Sequence, residues 1–140
     1  MSAFRRWQTS AVELKPEVLR MMQERPATKV WLTLAASEEV EAFDDLARLA
    51  GLEPLGRAWV EVNEARVRRF LAGLLHRDLA YKSELMPEHR AEWLAEEFVL
   101  AAGRYGSRFA TNSPDMPHEF PFSWTSASDY TFDAGVVVIG

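Results

Sequence analysis

The chain has 140 residues with 21 acids against 16 Lys and Arg, a formal net charge of −5 and no cysteine. That length suits a single domain, the absent thiols exclude disulfides, cysteine nucleophiles and thiolate metal sites, and the acidic balance gives no electrostatic support to a nucleic-acid role. No run approaches the roughly 20 apolar residues that span a bilayer. Arg5 and Arg6 near the N-terminus are followed by no apolar stretch, so a secretory layout is missing and the expectation is cytoplasmic.

In chain order, Pro16 suits the first turn of a helix ending before Pro26, with Val18, Leu19 and Met22 on its apolar stripe. Thr28 to Leu34 alternates as a strand with Val30, Leu32 and Leu34 on one face. Ser37 predicts a cap for a helix with Glu38 and Glu39 in its first turn, an apolar stripe of Val40, Phe43, Leu46, Ala47 and Ala50, and a left-handed stop at Gly51. Residues 38–53 carry six acids against the single base Arg48.

Arg57 to Val62 reads as a second strand. Asn63 then caps a helix whose Val67, Phe70, Leu71, Leu74 and Leu75 recur at helical spacing. Residues 57–82 hold six bases to three acids, the opposite sign to the preceding block. Two strand-then-helix units in succession suggest a βαβ arrangement or a weak duplication. Pro87 opens a further helix reaching about Ala102, with Ala91, Leu94, Ala95, Phe98, Ala101 and Ala102 on one face and Glu88, Glu92, Glu96 and Glu97 on the rest. Short strands follow at Arg108 to Thr111 and Phe120 to Thr125. Last comes the β-branched run Val136 to Ile139, expected to be buried on both faces and central or next to central in its sheet.

Chemistry-bearing patterns are sparse. His76-Arg77-Asp78 matches a kinase triplet without any other kinase motif, so local pairing at a helix end is the better reading. His76, His89 and His118 stand at no metal-ligand spacing, and His118 in a proline-rich loop is expected at the surface. There is no nucleophile elbow and no phosphate-binding glycine loop, so neither a metal nor a cofactor is expected. Asp129 and Asp133 form a possible carboxylate pair, although an aspartate before Ala134-Gly135 suits a turn.

Two surfaces stand out for recognition. One is the acidic helix face of Glu38, Glu41, Asp44 and Asp45, suited to a basic partner. The other is the loop from Thr111 to Asp133, where Asn112, His118, Asp129 and Tyr130 interleave with Trp124. Trp124 and Tyr130 are its preferred contacts, each pairing an apolar body with a polar tip. Phe120, Phe122, Trp124 and Phe132 equally suit closure of one end of a core.

The pattern Asp78-Leu79-Ala80-Tyr81-Lys82-Ser83-Glu84-Leu85-Met86, followed by Thr111-Asn112, Trp124 and Thr131-Phe132-Asp133-Ala134-Gly135-Val136, resembles a group of small uncharacterised bacterial proteins with this C-terminal ending. That resemblance implies no activity. In type, a compact, acidic, cysteine-free α/β chain is similar to immunity proteins that neutralise bacterial toxins.

The expected fold is a single α/β or α+β domain, a mixed sheet of about five strands with about four helices packed on it. The first functional expectation is a non-enzymatic protein-binding module of the immunity type, docking a basic protein through Glu38, Glu41, Asp44, Asp45, Asn112, Trp124, Asp129 and Tyr130, with no nucleic acid and no membrane. A small-ligand protein or small enzyme with a pocket under the 111–133 loop is the alternative. A structural or oligomeric role, through an uncovered strand edge or the Pro87 to Ala102 helix, is the third.

Overall fold

The computed structural model describes residues 40–102, 106–119, 121–128 and 134–139. The expected helix from Pro16 and strand from Thr28 lie outside them, as do Glu38, Asp129 and Tyr130. In order the described elements are α1 (Phe43–Leu49), a 3-10 turn (Gly56–Ala58), β1 (Val60–Val62), α2 (Glu64–His76), α3 (Glu88–Ala102), β2 (Arg108–Thr111) and β3 (Val136–Ile139).

The fold is α+β. Among the described residues there are three strands in the order β1-β2-β3, and both ladders are antiparallel. Instead of the expected mixed sheet of about five strands with about four helices, the described residues form an antiparallel sheet of three strands with three α-helices; the expected βαβ unit begins with the strand from Thr28 and so lies partly outside the described residues. The two helices expected between β1 and β2 are both present, and with them the chain turns back three times, an odd number that brings β2 beside β1 in the opposite direction. The expected strand at Phe120 to Thr125 is also corrected, because residues 121–126 make no ladder and run as irregular chain.

Sheet alternation explains the final β-branched run. Val136 and Val138, with Val62 and Phe109, pack against the cluster built from α2 and α3. Val137 and Ile139, with Ala110 and Trp59, pack instead with Phe43 and Leu46 of α1. Successive side chains of β3 thus meet different helical layers, so every position is apolar. β3 flanks the central β2, pairing Phe109 with Val138 and Ala110 with Val137.

The α2–α3 pair carries most of the core. Val67, Leu71 and Leu75 interlock with Ala91, Leu94, Ala95, Phe98, Val99 and Ala102. Each large apolar side chain buried in this way contributes about 1.5–3 kcal/mol. The stripe of α2 agrees with its spacing, and the Asn63 side chain accepts from the Arg66 amide at 2.8 Å as the cap requires. On α3, Val99 is buried beside the predicted residues and Ala101 is only half-buried.

α1 is shorter than expected. Residues 40–42 are not helical, and the N-cap is Ala42 instead of Ser37. Alanine has no acceptor, and Asp45 compensates by reaching back to the amides of Glu41 at 3.0 Å and Ala42 at 2.9 Å. The C-terminal stop is as expected. Gly51 has φ +77°, its amide donates to Arg48 O, and Leu52 donates to Ala47 O at 2.8 Å, the Schellman pattern.

One glycine is explained by close approach. Gly73 lies inside α2, where glycine costs about 1 kcal/mol relative to alanine. A Cβ there would stand 3.1 Å from Pro117 Cβ, so the bare backbone admits the 114–119 loop. Gly73→Val is expected to destabilise the protein by about 1–3 kcal/mol. Thermal unfolding checks this, and unchanged stability would mean that the loop does not bear on the helix.

Candidate functional site

The sequence-predicted residues fall into two groups with different employment. In the acidic group, Glu41 is exposed at the entry to α1, whereas Asp44 and Asp45 are committed to the fold. Asp44 Oδ1 accepts from Trp59 Nε1 at 2.7 Å and from the Gly56 amide at 3.1 Å. One carboxylate therefore ties α1 to the 3-10 turn that leads into β1. The Gly56 amide, then the Trp59 indole, holds the Asp44 carboxyl below its ordinary value, and the Glu41 and Ala42 amides do the same for Asp45.

The second group surrounds the end of β2. Thr111, Asn112 and Ser113 are buried polar residues in succession, with Asn112 only 3% exposed. Burial of three polar side chains in a row requires partners for each. Thr111 Oγ1 donates to Ser113 O at 2.7 Å, and the Ser113 hydroxyl donates to Ser123 O while accepting from the Asp115 amide. Asn112 Nδ2 donates to Thr125 O at 3.0 Å, its Oδ1 accepts from the Gly135 amide at 3.1 Å, and its own carbonyl accepts from the Thr125 amide at 2.9 Å. Asn112 thus joins three segments: the end of β2, the 121–128 loop and the approach to β3.

The loop is fastened at further points. Asp115 Oδ2 accepts from both the amide and the hydroxyl of Ser123 at 2.8 Å, which holds its carboxyl below the ordinary aspartate value. Arg66 Nη2 on α2 donates to Pro114 O at 2.7 Å. His118, expected at the surface, is instead half-buried against α2, its Nε2 donating to Gly73 O at 3.0 Å. The backbone of His118 is left-handed, with φ +72°. The bare Gly73 backbone beneath makes that approach possible.

Trp124 is half-buried and stacks on Phe122, with ring centroids 5.7 Å apart and planes at 24°. Phe122 in turn leans on the buried Phe70 of α2 at 6.4 Å. Phe122, read from the sequence only as a core-closing residue, is therefore the support on which Trp124 is displayed. Its signal was the Phe-x-Trp alternation, which puts two aromatics on one side of an extended chain.

The two groups are brought together at one point. The Glu53 amide, just beyond α1, donates to Ala127 O at 2.8 Å, seating the end of the 121–128 loop beside the end of the acidic helix. Asp78 stays apart from both, at the end of α2. It accepts from the Tyr81 amide at 2.6 Å, while the Asp78 and Lys82 amides bond to Ser83 O and Asp78 O, a local turn of the kind expected for the His76-Arg77-Asp78 triplet.

Among the described residues no three His, Asp or Glu side chains gather at metal-binding distance, and no helix is long and apolar enough to cross a membrane. Comparison of the chain with protein-family models, curated proteins and solved structures gave no match.

Two predictions follow from the bonding. Asn112→Ala leaves the Thr125 carbonyl and the Gly135 amide without their partner, and a loss of about 1–3 kcal/mol is expected in urea unfolding. The carboxyls of Asp44, Asp45 and Asp115 all have folded values below their unfolded ones. Their stabilisation is present above the ordinary aspartate range and is lost as pH falls through the folded values. Stability should therefore decline below about pH 4, and Asp44→Asn should flatten that decline; an unchanged pH profile would contradict the role given to Asp44.

Proposed function

We propose that the protein is a cytoplasmic, non-enzymatic binding module for a basic partner protein, of the type of immunity proteins that inhibit toxins. The observation that carries this reading is the Glu53–Ala127 backbone bond, which makes the acidic α1 and the loop bearing Trp124 neighbours. An acidic region beside a rigidly supported tryptophan combines long-range steering of a cationic surface with a local aromatic anchor. Preorganisation favours this use, because a loop already fixed by Asn112, Ser113 and Asp115 loses little entropy when it is covered.

Within this reading Glu41 is an attracting charge and Trp124 the anchor. Glu38, Asp129 and Tyr130 belong to the same proposed surface. Asp44, Asp45 and Asn112 act as positioning residues, since their acceptor atoms hold the backbone that presents the other two. The alternative of a small-ligand pocket under the 111–133 loop gains no support from Thr111, Asn112 and Ser113, whose polar atoms point at the loop's own backbone.

Glu41→Lys and Trp124→Ala test the proposal at the two side chains assigned to contact, with thermal unfolding to show that each variant still folds. With immobilised protein and lysate of the source organism, the wild type is expected to retain a stoichiometric basic protein. Each variant should retain it about tenfold less, and moderate salt should release it. Equal capture by wild type and both variants would remove this surface from the proposal.

A further inference from the structure

The core-facing side of α3 is fully used, but its opposite side carries an apolar pair that the core does not need. Trp93 is 39% exposed and Leu100 63% exposed, while Ala91, Leu94, Ala95, Phe98, Val99 and Ala102 fill the buried side. Seven residues apart, Trp93 and Leu100 lie on one line of the helix, about 10 Å from each other. An open depression of about 370 Å³ adjoins the first of them, lined by His89, Arg90 and Trp93.

Acids outnumber bases around this pair: Glu92 and Glu96 are exposed and Glu97 is half-buried, against the single exposed Arg90, which lines the depression with His89. We propose that this outer face of α3 is a docking site for a cationic amphipathic helix of a partner protein, whose apolar side chains would sit between Trp93 and Leu100 and whose Lys or Arg would meet Glu92 and Glu96.

Charge selects this occupant over two others. A second copy of the chain, laid antiparallel so that Trp93 meets Leu100 of its mate, would set the exposed Glu96 of the two copies side by side, and like charges in contact are destabilising. An anionic lipid surface would be repelled by the same glutamates. A basic helix satisfies both features, with apolar anchors in the i, i+3, i+4, i+7 pattern of helix recognition. The site is independent of the Trp124 loop, whose fastening bonds run to α2, and it stands whether or not that loop binds a partner.

The test uses the full chain and a fluorescently labelled synthetic amphipathic peptide of leucine and lysine, with a scrambled peptide of the same composition as control. Anisotropy is expected to show binding of the amphipathic peptide at least about tenfold tighter than of the scrambled one. Trp93→Ala, and separately Glu92→Lys combined with Glu96→Lys, should each weaken it by about tenfold or more. Leu100→Ser, at the more exposed position, provides a second apolar variant should Trp93→Ala alter the circular dichroism. Equal affinity for the scrambled peptide would reduce the effect to bulk charge and overturn the proposal. So would wild-type affinity in the apolar variants. A concentration-dependent dimer in sedimentation that Trp93→Ala abolishes would reassign the face to a second copy and likewise overturn it.

Discussion

The carboxamide of Asn112 donates to Thr125 O and accepts from Gly135 N, and these two bonds decide where three separate segments of backbone lie. Without them the buried Asn112 carboxamide would lose its partners, and the Thr125 carbonyl and the half-buried Gly135 amide would lose theirs, at a cost of about 1–3 kcal/mol for each group left unpaired away from water. Thr111 and Ser113 extend the arrangement on either side, so the most polar triplet in the core is fully used. Everything proposed for the loop depends on that constraint, because a tryptophan on a fixed support recognises differently from one on a free strand.

A second constraint is the sharing of the sheet between two helical layers. Phe109, Val136 and Val138 face α2 and α3, and Ala110, Val137 and Ile139 face α1. Near α1 the polar groups at the sheet are paired across it. Arg108 bonds to both carboxylate oxygens of Glu61 at 2.9 Å and 3.0 Å, and its guanidinium lies 4.8 Å over the Phe43 ring. Arg108 thereby covers an aromatic edge of the smaller cluster with its charged head still half in water. Asp44 closes the same cluster from the other end through Trp59, which tilts against Phe43 at 6.2 Å.

What could be read from the sequence follows from the range of the forces involved. α2 was legible because its cap at Asn63 and its apolar spacing are local, and local signals survive tertiary context. The Gly51 stop was legible for the same reason, and so was the packing of Val136 to Ile139 on both faces, although only Val137 of the four is buried and the others are half-buried. The start of α1 was not, because its real cap is a carboxylate two turns into the predicted helix reaching backwards, and Ser37 offered a simpler one. Strand direction was hidden as well. Periodicity is the same for parallel and antiparallel neighbours, and it does not say which strands become neighbours, here β1 with β2 and β2 with β3. The acids of α1 looked alike in sequence, yet long-range bonds to Gly56 and Trp59 separate Asp44 from the exposed Glu41. His118 was misplaced because its partner, Gly73 O, is 45 residues away. The pairing of Trp93 with Leu100 was present as a spacing, but it drew no notice beside the denser stripe on the opposite side of α3.

The central claim is that the polar residues of the 111–128 region build a rigid support rather than a reactive site. Native-state hydrogen exchange of the amides of Ser123, Thr125 and Gly135 tests it most directly. The account predicts protection comparable to that of the β2 amides, since each of the three is held by Asp115 or Asn112. Exchange of these amides at unstructured rates while β2 stays protected would contradict it.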